Sequence, residues 1–393
     1  MNEQPQQAIS KGARTDVKMI FTLTLVHFTG DLYSSFVNPL FPLFVEKLGL
    51  SLTQVGLIAG TNRFLAFIVQ PTVGYLADRH PSRAFILAGL LLAICFIPLA
   101  GIAPGFWTLL ILVAVGSIGS SMFHPPVTGM VPLYAGSNSG FSMSIFNTGG
   151  TLAFGLGPLF VTWYAARFGL GALPFTMCFG WIILAYLAVT IPKPGGDAST
   201  RLGFFGSIRE NLGDAWKIVA VIWLVMFLRA VVGQSFLTFL PVLLVQKGLT
   251  VVSAGVVFSL FTVAGTFSGL IAGRISDKIG FRPVFLCAHG LMTPVLLLFL
   301  RLEGDAVYIG ALAAGATVLA TLPLGVAMAQ LLAPRGRSMV ASLMMGFAYG
   351  LGGLITPLVG RLADLYSIPS VLNAICLIPL ATLPLILTFP KVK

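Results

Sequence analysis

Four residues apart in one apolar run stand the two groups of this 393-residue chain best suited to handling a proton, His27 and Asp31. At that spacing both lie on one helix face and can meet directly. Imidazole changes charge near neutral pH, and a carboxylate removed from water holds its proton according to its surroundings. The pair therefore suits a proton site whose affinity follows conformation. Asp31 is the only acidic residue well inside an apolar run; it is read as the carrier of a coupling proton that His27 tunes or relays. The alternative is a hydrogen-bonded pair that joins helices. Arg63 and Arg229 also interrupt apolar runs. A guanidinium presents a forked donor set matched to carboxylate, phosphate or phosphonate, so the two predict an anionic substrate. Arg229 is the favoured contact and Arg63 the second, unless one of them pairs with Asp31. His124, followed by Pro125 and Pro126, is read as a substrate ligand, a proton shuttle or a structural donor. Its two prolines remove backbone donors and predict a kink or break. Asn38, Asn147, Gln234, Gln330 and Tyr349 complete the candidate substrate contacts, each equally suited to holding helices together.

Other chemistries lack their motifs. The chain has no His-Glu-x-x-His, no Gly-x-Ser-x-Gly, no nucleotide-binding P-loop and no second intramembrane Asp for a dyad, so neither an intramembrane enzyme nor an ATP-driven pump is expected. The four cysteines have no metal-ligand spacing and are read as buried free thiols; no metal and no cofactor is expected.

The elements that must position these residues are membrane helices. The chain is 57% hydrophobic and 9% charged, far from the roughly 45–50% and 25% of soluble domains. Its 44 Gly and 24 Pro are tolerated in membrane helices, where small residues permit close packing. Apolar runs predict spans at 18–45, 53–77, 84–102, 106–134, 140–166, 171–191, 217–245, 251–275, 283–301, 306–333, 338–364 and 369–389. The fold class is thus all-α and integral to the membrane, with twelve transmembrane helices. The polar segment before the first span shows no cleavage site of the usual kind, so that span is expected to stay. Of the 23 Lys and Arg, sixteen fall on the side of the termini, five opposite and two within spans. That asymmetry predicts both termini in the cytoplasm of a multi-pass inner-membrane protein. The net charge of +11 is thereby topological, and no basic soluble domain exists for a nucleic-acid partner.

A fixed offset of 199 residues superposes Pro42 on Pro241, Gly49 on Gly248, Gly56 on Gly255, Gly74 on Gly273, Asp78 on Asp277, Arg83 on Arg282, Ser139 on Ser338 and Pro158 on Pro357. The repeat predicts a cytoplasmic tail at 1–17, a six-helix bundle at 18–191, a cytoplasmic linker at 192–216 and a second bundle at 217–390. Parallel repeats of this kind place a site near the midplane between them, with the two bundles rocking about it. The intramembrane charges do not repeat: Asp31 falls on Ala230, Arg229 on Gly30 and Arg63 on Thr262.

The loops after the second and eighth spans read Gly74-Tyr-Leu-Ala-Asp78-Arg79-His-Pro-Ser-Arg83 and Gly273-Arg-Ile-Ser-Asp277-Lys278-Ile-Gly-Phe-Arg282. They resemble the cytoplasmic-loop signature of the major facilitator superfamily, and with the spans and the duplication the resemblance covers essentially the whole chain. It implies the major facilitator fold of two pseudo-symmetric six-helix bundles. It also implies a conformational latch for the outward-facing state made by Gly74, Asp78, Arg79, Arg83, Gly273, Asp277, Lys278 and Arg282. The plainer reading of one such loop is a solvated charged turn. A finer resemblance, carried by His27-Phe-Thr-Gly-Asp31, Gly119-Ser-Ser-Met-Phe-His124-Pro125, Ser144-Ile-Phe-Asn-Thr-Gly-Gly150 and Gly346-Phe-Ala-Tyr-Gly-Leu-Gly-Gly353, is to the fosmidomycin-resistance branch. Pro126 departs from that branch, where an acidic residue often follows His-Pro. The stretch Gly150–Pro158 partly resembles an antiporter-associated Gly-Pro motif. These resemblances imply a monomeric, lipid-embedded secondary transporter that exports a small organic anion or amphipathic drug, such as a phosphonate, against protons. Uptake of a small anion by proton symport is the alternative.

Overall fold

The structure, a computed structural model, describes residues 15–77, 82–136, 139–192, 215–333, 344 and 348–391. The expected linker falls almost wholly outside these, as do Asp78 and Arg79 of the expected latch. Among the described residues every regular element is a helix: α1 Val17–Ser34, α2 Phe41–Leu48, α3 Leu52–Ala77, α4 Ser82–Leu99, α5 Phe106–Tyr134, α6 Ser139–Phe168, α7 Met177–Thr190, α8 Trp216–Gln246, α9 Val251–Ile279, α10 Phe281–Phe299, α11 Ala306–Leu319, α12 Leu322–Leu332, α13 Ala348–Leu354, α14 Thr356–Tyr366, α15 Ile368–Ile375 and α16 Ile378–Leu387, with short 3₁₀ turns between some of them.

Nine stretches among the described residues are long and apolar enough to cross a membrane. They cover nine of the twelve expected spans and leave out the first, the fifth and the eleventh. The first is broken by its own prolines: α1 ends at Ser34, a 3₁₀ turn over Asn38–Leu40 follows, and α2 restarts at Phe41. Pro39 and Pro42 remove two backbone donors within four residues. At the 199-residue offset the second repeat keeps only Pro241, and α8 runs unbroken for 31 residues. The fifth is diluted by Ser142, Ser144, Asn147, Thr148 and Thr151. Side chains such as Trp107, Ile182 and Ile309 are more than 70% exposed, which suits a lipid rather than a water surround.

Two sequence expectations need correction. The helix carrying His124 does not break, because α5 continues through Pro125, Pro126 and Pro132 to Tyr134; a membrane helix packed by neighbours tolerates the lost donors. Nor are the cysteines all buried: Cys376 is, Cys95 is intermediate, and Cys178 and Cys287 are exposed on surfaces where an apolar thiol needs no cover.

The two repeats meet through pseudo-symmetric pairs, α3 against α13 and α14, and α6 against α9. Their contacts gather at the ends of these helices remote from the chain termini, here called the distal end. Gly56 lies directly against the backbone of Thr356 and Pro357, and its repeat partner Gly255 against Thr162; a Cβ at either position would collide with the opposite repeat. This close approach explains why a glycine occupies both copies. Thr356 Oγ1 donates to Gly56 O at 2.9 Å, Ser259 Oγ to Gly155 O at 2.7 Å, and Asn38 Nδ2 to Leu237 O at 3.0 Å. Asp364, at the distal end of α14, accepts from Leu52 N at 2.8 Å, Thr53 N at 2.9 Å and the Thr53 hydroxyl. A carboxylate of one repeat thus caps the N-terminus of a helix in the other, where helix dipole and orphan amides favour it.

Asp364→Ala is expected to loosen the distal closure. A cysteine placed at Thr356 should then react roughly threefold to tenfold faster with a membrane-impermeant maleimide, as loss of charge-assisted bonds at an exposed site warrants.

Candidate functional site

The buried polar centre of the first repeat is built from three helices. α1 brings His27 and Asp31 to one face, and His27 Nε2 lies 3.2 Å from Asp31 Oδ2. α5 brings His124, whose Nε2 lies 3.1 Å from the other oxygen, Asp31 Oδ1. α6 supplies backbone: His27 Nδ1 donates to Phe146 O at 3.0 Å. His124 Nδ1 donates back to Ser120 O within its own helix at 2.8 Å. Rings fix the imidazoles, His27 stacking on Phe146 at 4.3 Å between centroids and His124 on Phe123 at 4.1 Å. Asp31 is 4% exposed and His27 9%, while the His124 side chain keeps 27%. Such a carboxylate, out of water, is stabilised only by what it touches, and both its oxygens touch an imidazole.

The sequence placed His27 beside Asp31 and the structure brings them together. It adds His124, whose role the sequence left open, because 93 residues of separation from Asp31 carry no local signal. It also adds Gly150, which no motif argument singled out for packing. A Cβ there would come within 2.7 Å of Asp31 Oδ2 and His27 Nε2, so only glycine lets α6 close over the pair. The atoms of His27, Asp31 and His124 lie within 4.8 Å of one another, a geometry open to a proton or a small cation alike. No metal ligand was expected from the sequence, and three donors fall one short of a closed tetrahedral protein site.

The expected anion contacts divide. Arg63 Nε on α3 donates to Gln234 Oε1 on α8 at 3.0 Å, so two predicted site residues meet across the repeats. Arg229 is 1% exposed and Nη1 donates to Val318 O at 3.0 Å, which sets it inside the second repeat. Neither arginine is the partner of Asp31, whose charged partners are the two imidazoles. Asn38 belongs to the distal contact already described. Asn147 is exposed and Gln330 half-buried; Tyr349 lies in α13, with its side chain outside the described residues. Of the expected latch, Gly74 lies in α3, Arg83 donates to Ala188 O of α7, and Gly273, Asp277 and Lys278 lie in the last turns of α9, one residue beyond which Gly280 (φ 88°) turns the chain toward Arg282. Among the described residues Asp277 and Arg282 form no ion pair with each other. Sequence reasoning missed Asp364; its place in the last turn of a predicted span gave no hint of a partner 311 residues away.

Membrane-length helices packed as two repeats around buried ionisable groups define a multi-pass membrane carrier. The family model for the Major Facilitator Superfamily matches residues 23–357 and, in a second match, 248–392. The chain belongs to that superfamily, and it is a secondary transporter of a small-molecule substrate and not an enzyme. It is 26% identical to the fosmidomycin resistance protein of Escherichia coli (strain K12), over 97% of this chain and 96% of that one. It is also 26% identical to the MFS-type transporter YfnC of Bacillus subtilis (strain 168), over 95% and 93%. The quinolone resistance protein NorA of Staphylococcus aureus is 27% identical over 48% of each chain. Among solved structures, the nucleoside transporter NupG superposes with a TM-score of 0.77 at 13% identity, covering 96% of this chain and 100% of that one. A bacterial homologue of the human lysosomal transporter Spinster, inward-facing and unoccupied, gives 0.74 at 17% identity over 94% of each.

Gly150→Ala is expected to lower stability by about 1–3 kcal/mol, as overpacking does. Gly129→Ala, where an added Cβ meets open space, should be neutral or mildly stabilising. Unfolding of both variants in detergent micelles checks the pair.

Proposed function

We propose that the chain is a proton-coupled exporter that exchanges protons for a small organic anion or amphipathic drug, such as a phosphonate, by alternating access. The observation that carries this reading is the buried His27–Asp31–His124 cluster. A charged group deep in a span costs roughly 2.5–3.5 kcal/mol to insert, so it is retained where it works. Asp31 and His27 handle the coupling proton. The anion binds beside Arg63 and Gln234, which bridge the repeats, and Arg229, buried on the same helix as Gln234, adds positive potential. His124, Asn38, Asn147, Gln330 and Tyr349 complete the substrate surface as the repeats rock.

The names of the relatives, two of them resistance proteins, favour export over uptake by proton symport, which would use the same residues in another binding order. The excess of Lys and Arg beside the termini favours an inner-membrane protein with both termini cytoplasmic. The distal closure then faces the outside, and this conformation opens inward. The loops carrying Gly74, Asp78, Arg79, Arg83, Gly273, Asp277, Lys278 and Arg282 latch the opposite, outward-facing state. Each repeat supplies one side of the pathway, so a single chain in lipid, without a cofactor, suffices.

The test is substrate-induced pH change in proteoliposomes, screened over phosphonates, carboxylates, sugar phosphates and hydrophobic cations. An anion should move protons in the wild type and none in Asp31→Asn. Full coupling in Asp31→Asn would overturn the proton assignment, and movement of cations but never anions the anion assignment.

A further inference from the structure

The hydrogen-bond pattern around Asp31 fixes a proton count. His27 Nδ1 faces Phe146 O at 3.0 Å and His124 Nδ1 faces Ser120 O at 2.8 Å. A carbonyl oxygen has no proton to give, so each Nδ1 carries one. In a neutral imidazole the other nitrogen is then a bare acceptor. Yet both Nε2 atoms point at the carboxylate, on different oxygens, at 3.2 and 3.1 Å. An acceptor held that close to an ionised oxygen inside a membrane repels it, whereas a proton between them makes a charge-assisted bond. Each contact needs its own proton, and of the two atoms it joins the imidazole nitrogen is the more basic.

We infer that in this distally closed conformation the cluster holds two protons, one on Nε2 of each histidine, against an ionised Asp31. The three side chains then carry a net charge of +1, from two imidazolium groups and one carboxylate. This rests on the reading of the cluster as the proton site and changes its count from one to two. No other charged group competes. α1 presents His27 and Asp31, and α5 presents His124. α6 presents the Phe146 carbonyl and Gly150, and among the described residues no lysine, arginine or further carboxylate acts on Asp31 or His124. Arg63 on the neighbouring α3 is turned to Gln234.

The sites are unequal. His27 is sealed under Gly150 and Phe146, while the His124 side chain keeps 27% exposure. His124 is therefore the side from which protons enter and leave, through its Nε2 proton. Losing it removes the bond that ties α5 to α1.

Nitrogen-15 spectra of histidine-labelled protein in lipid nanodiscs test the count without a transport assay. The chain has four histidines, so His27→Gln and His124→Gln identify the signals by subtraction. Expected at neutral pH are two imidazolium rings, one lost with each variant, and both replaced by neutral rings in Asp31→Asn. Should a variant fail to fold, His80→Gln and His289→Gln, which leave the cluster intact, remove the other two rings, and both imidazolium signals should persist. A wild-type spectrum with one imidazolium or none from the pair overturns this placement of two protons on the two histidines, whatever the proteoliposomes show. Two imidazolium signals without any substrate-driven proton movement would uphold the count and sink the transport coupling instead.

Discussion

A carboxylate buried among helices is the constraint on which the first repeat depends. Asp31 is buried, and both its oxygens lie against imidazoles, one from its own helix and one from α5. Those in turn rest on two carbonyls, one from a third helix. Phe123 closes the space above Gly30, where a Cβ would strike its ring, and Gly150 closes the other side. α1, α5 and α6 are thereby committed to one another: moving any of them strands a polar group where unsatisfied groups cost several kcal/mol.

The same α6 also makes the contact between repeats. Its backbone carries Phe146 O and Gly150 at the proton cluster. Two turns further on, it offers Gly155 O to Ser259 and Phe154 O to Thr262, the latter at 3.3 Å, and Thr162 beyond them lies against Gly255. α6 thus links the cluster of His27, Asp31 and His124 to the distal contact. On the opposite side of the pseudo-twofold the closure is of another kind, with Asp364 capping α3. One seam thus shares α6 with the cluster, while the other is closed by a carboxylate.

Much of this was legible in the sequence. The 199-residue repeat gave the scaffold, and Gly56 and Gly255 stood out as a repeated pair before their shared role, backbone contact with the opposite repeat, was visible. His27 and Asp31 were readable because helical periodicity alone places them together. His124 was not, since nothing local ties residue 124 to residue 31, and its meaning depends on how α5 packs on α1. The same holds for Asp364. Arg229, read from its residue type as an intramembrane anion contact, is buried with Nη1 on Val318 O, a partner that no local pattern announced. Of the kink or break expected at Pro125–Pro126 the break did not occur, whereas Pro39 and Pro42 interrupt the first span of the first repeat and not its counterpart in the second.

The central claim is that proton occupancy of the cluster and closure of the distal end are one equilibrium. Spin labels at Glu46 and Gln246, on the distal ends of the first span of each repeat, report it through their mutual distance by pulsed electron resonance. Expected is a short, closed distance at about pH 5 that gives way to a longer one toward about pH 8, the range over which histidine changes charge, and no such change in Asp31→Asn. A distance that shifts with pH equally in wild type and Asp31→Asn would contradict the link between this cluster and the movement of the repeats.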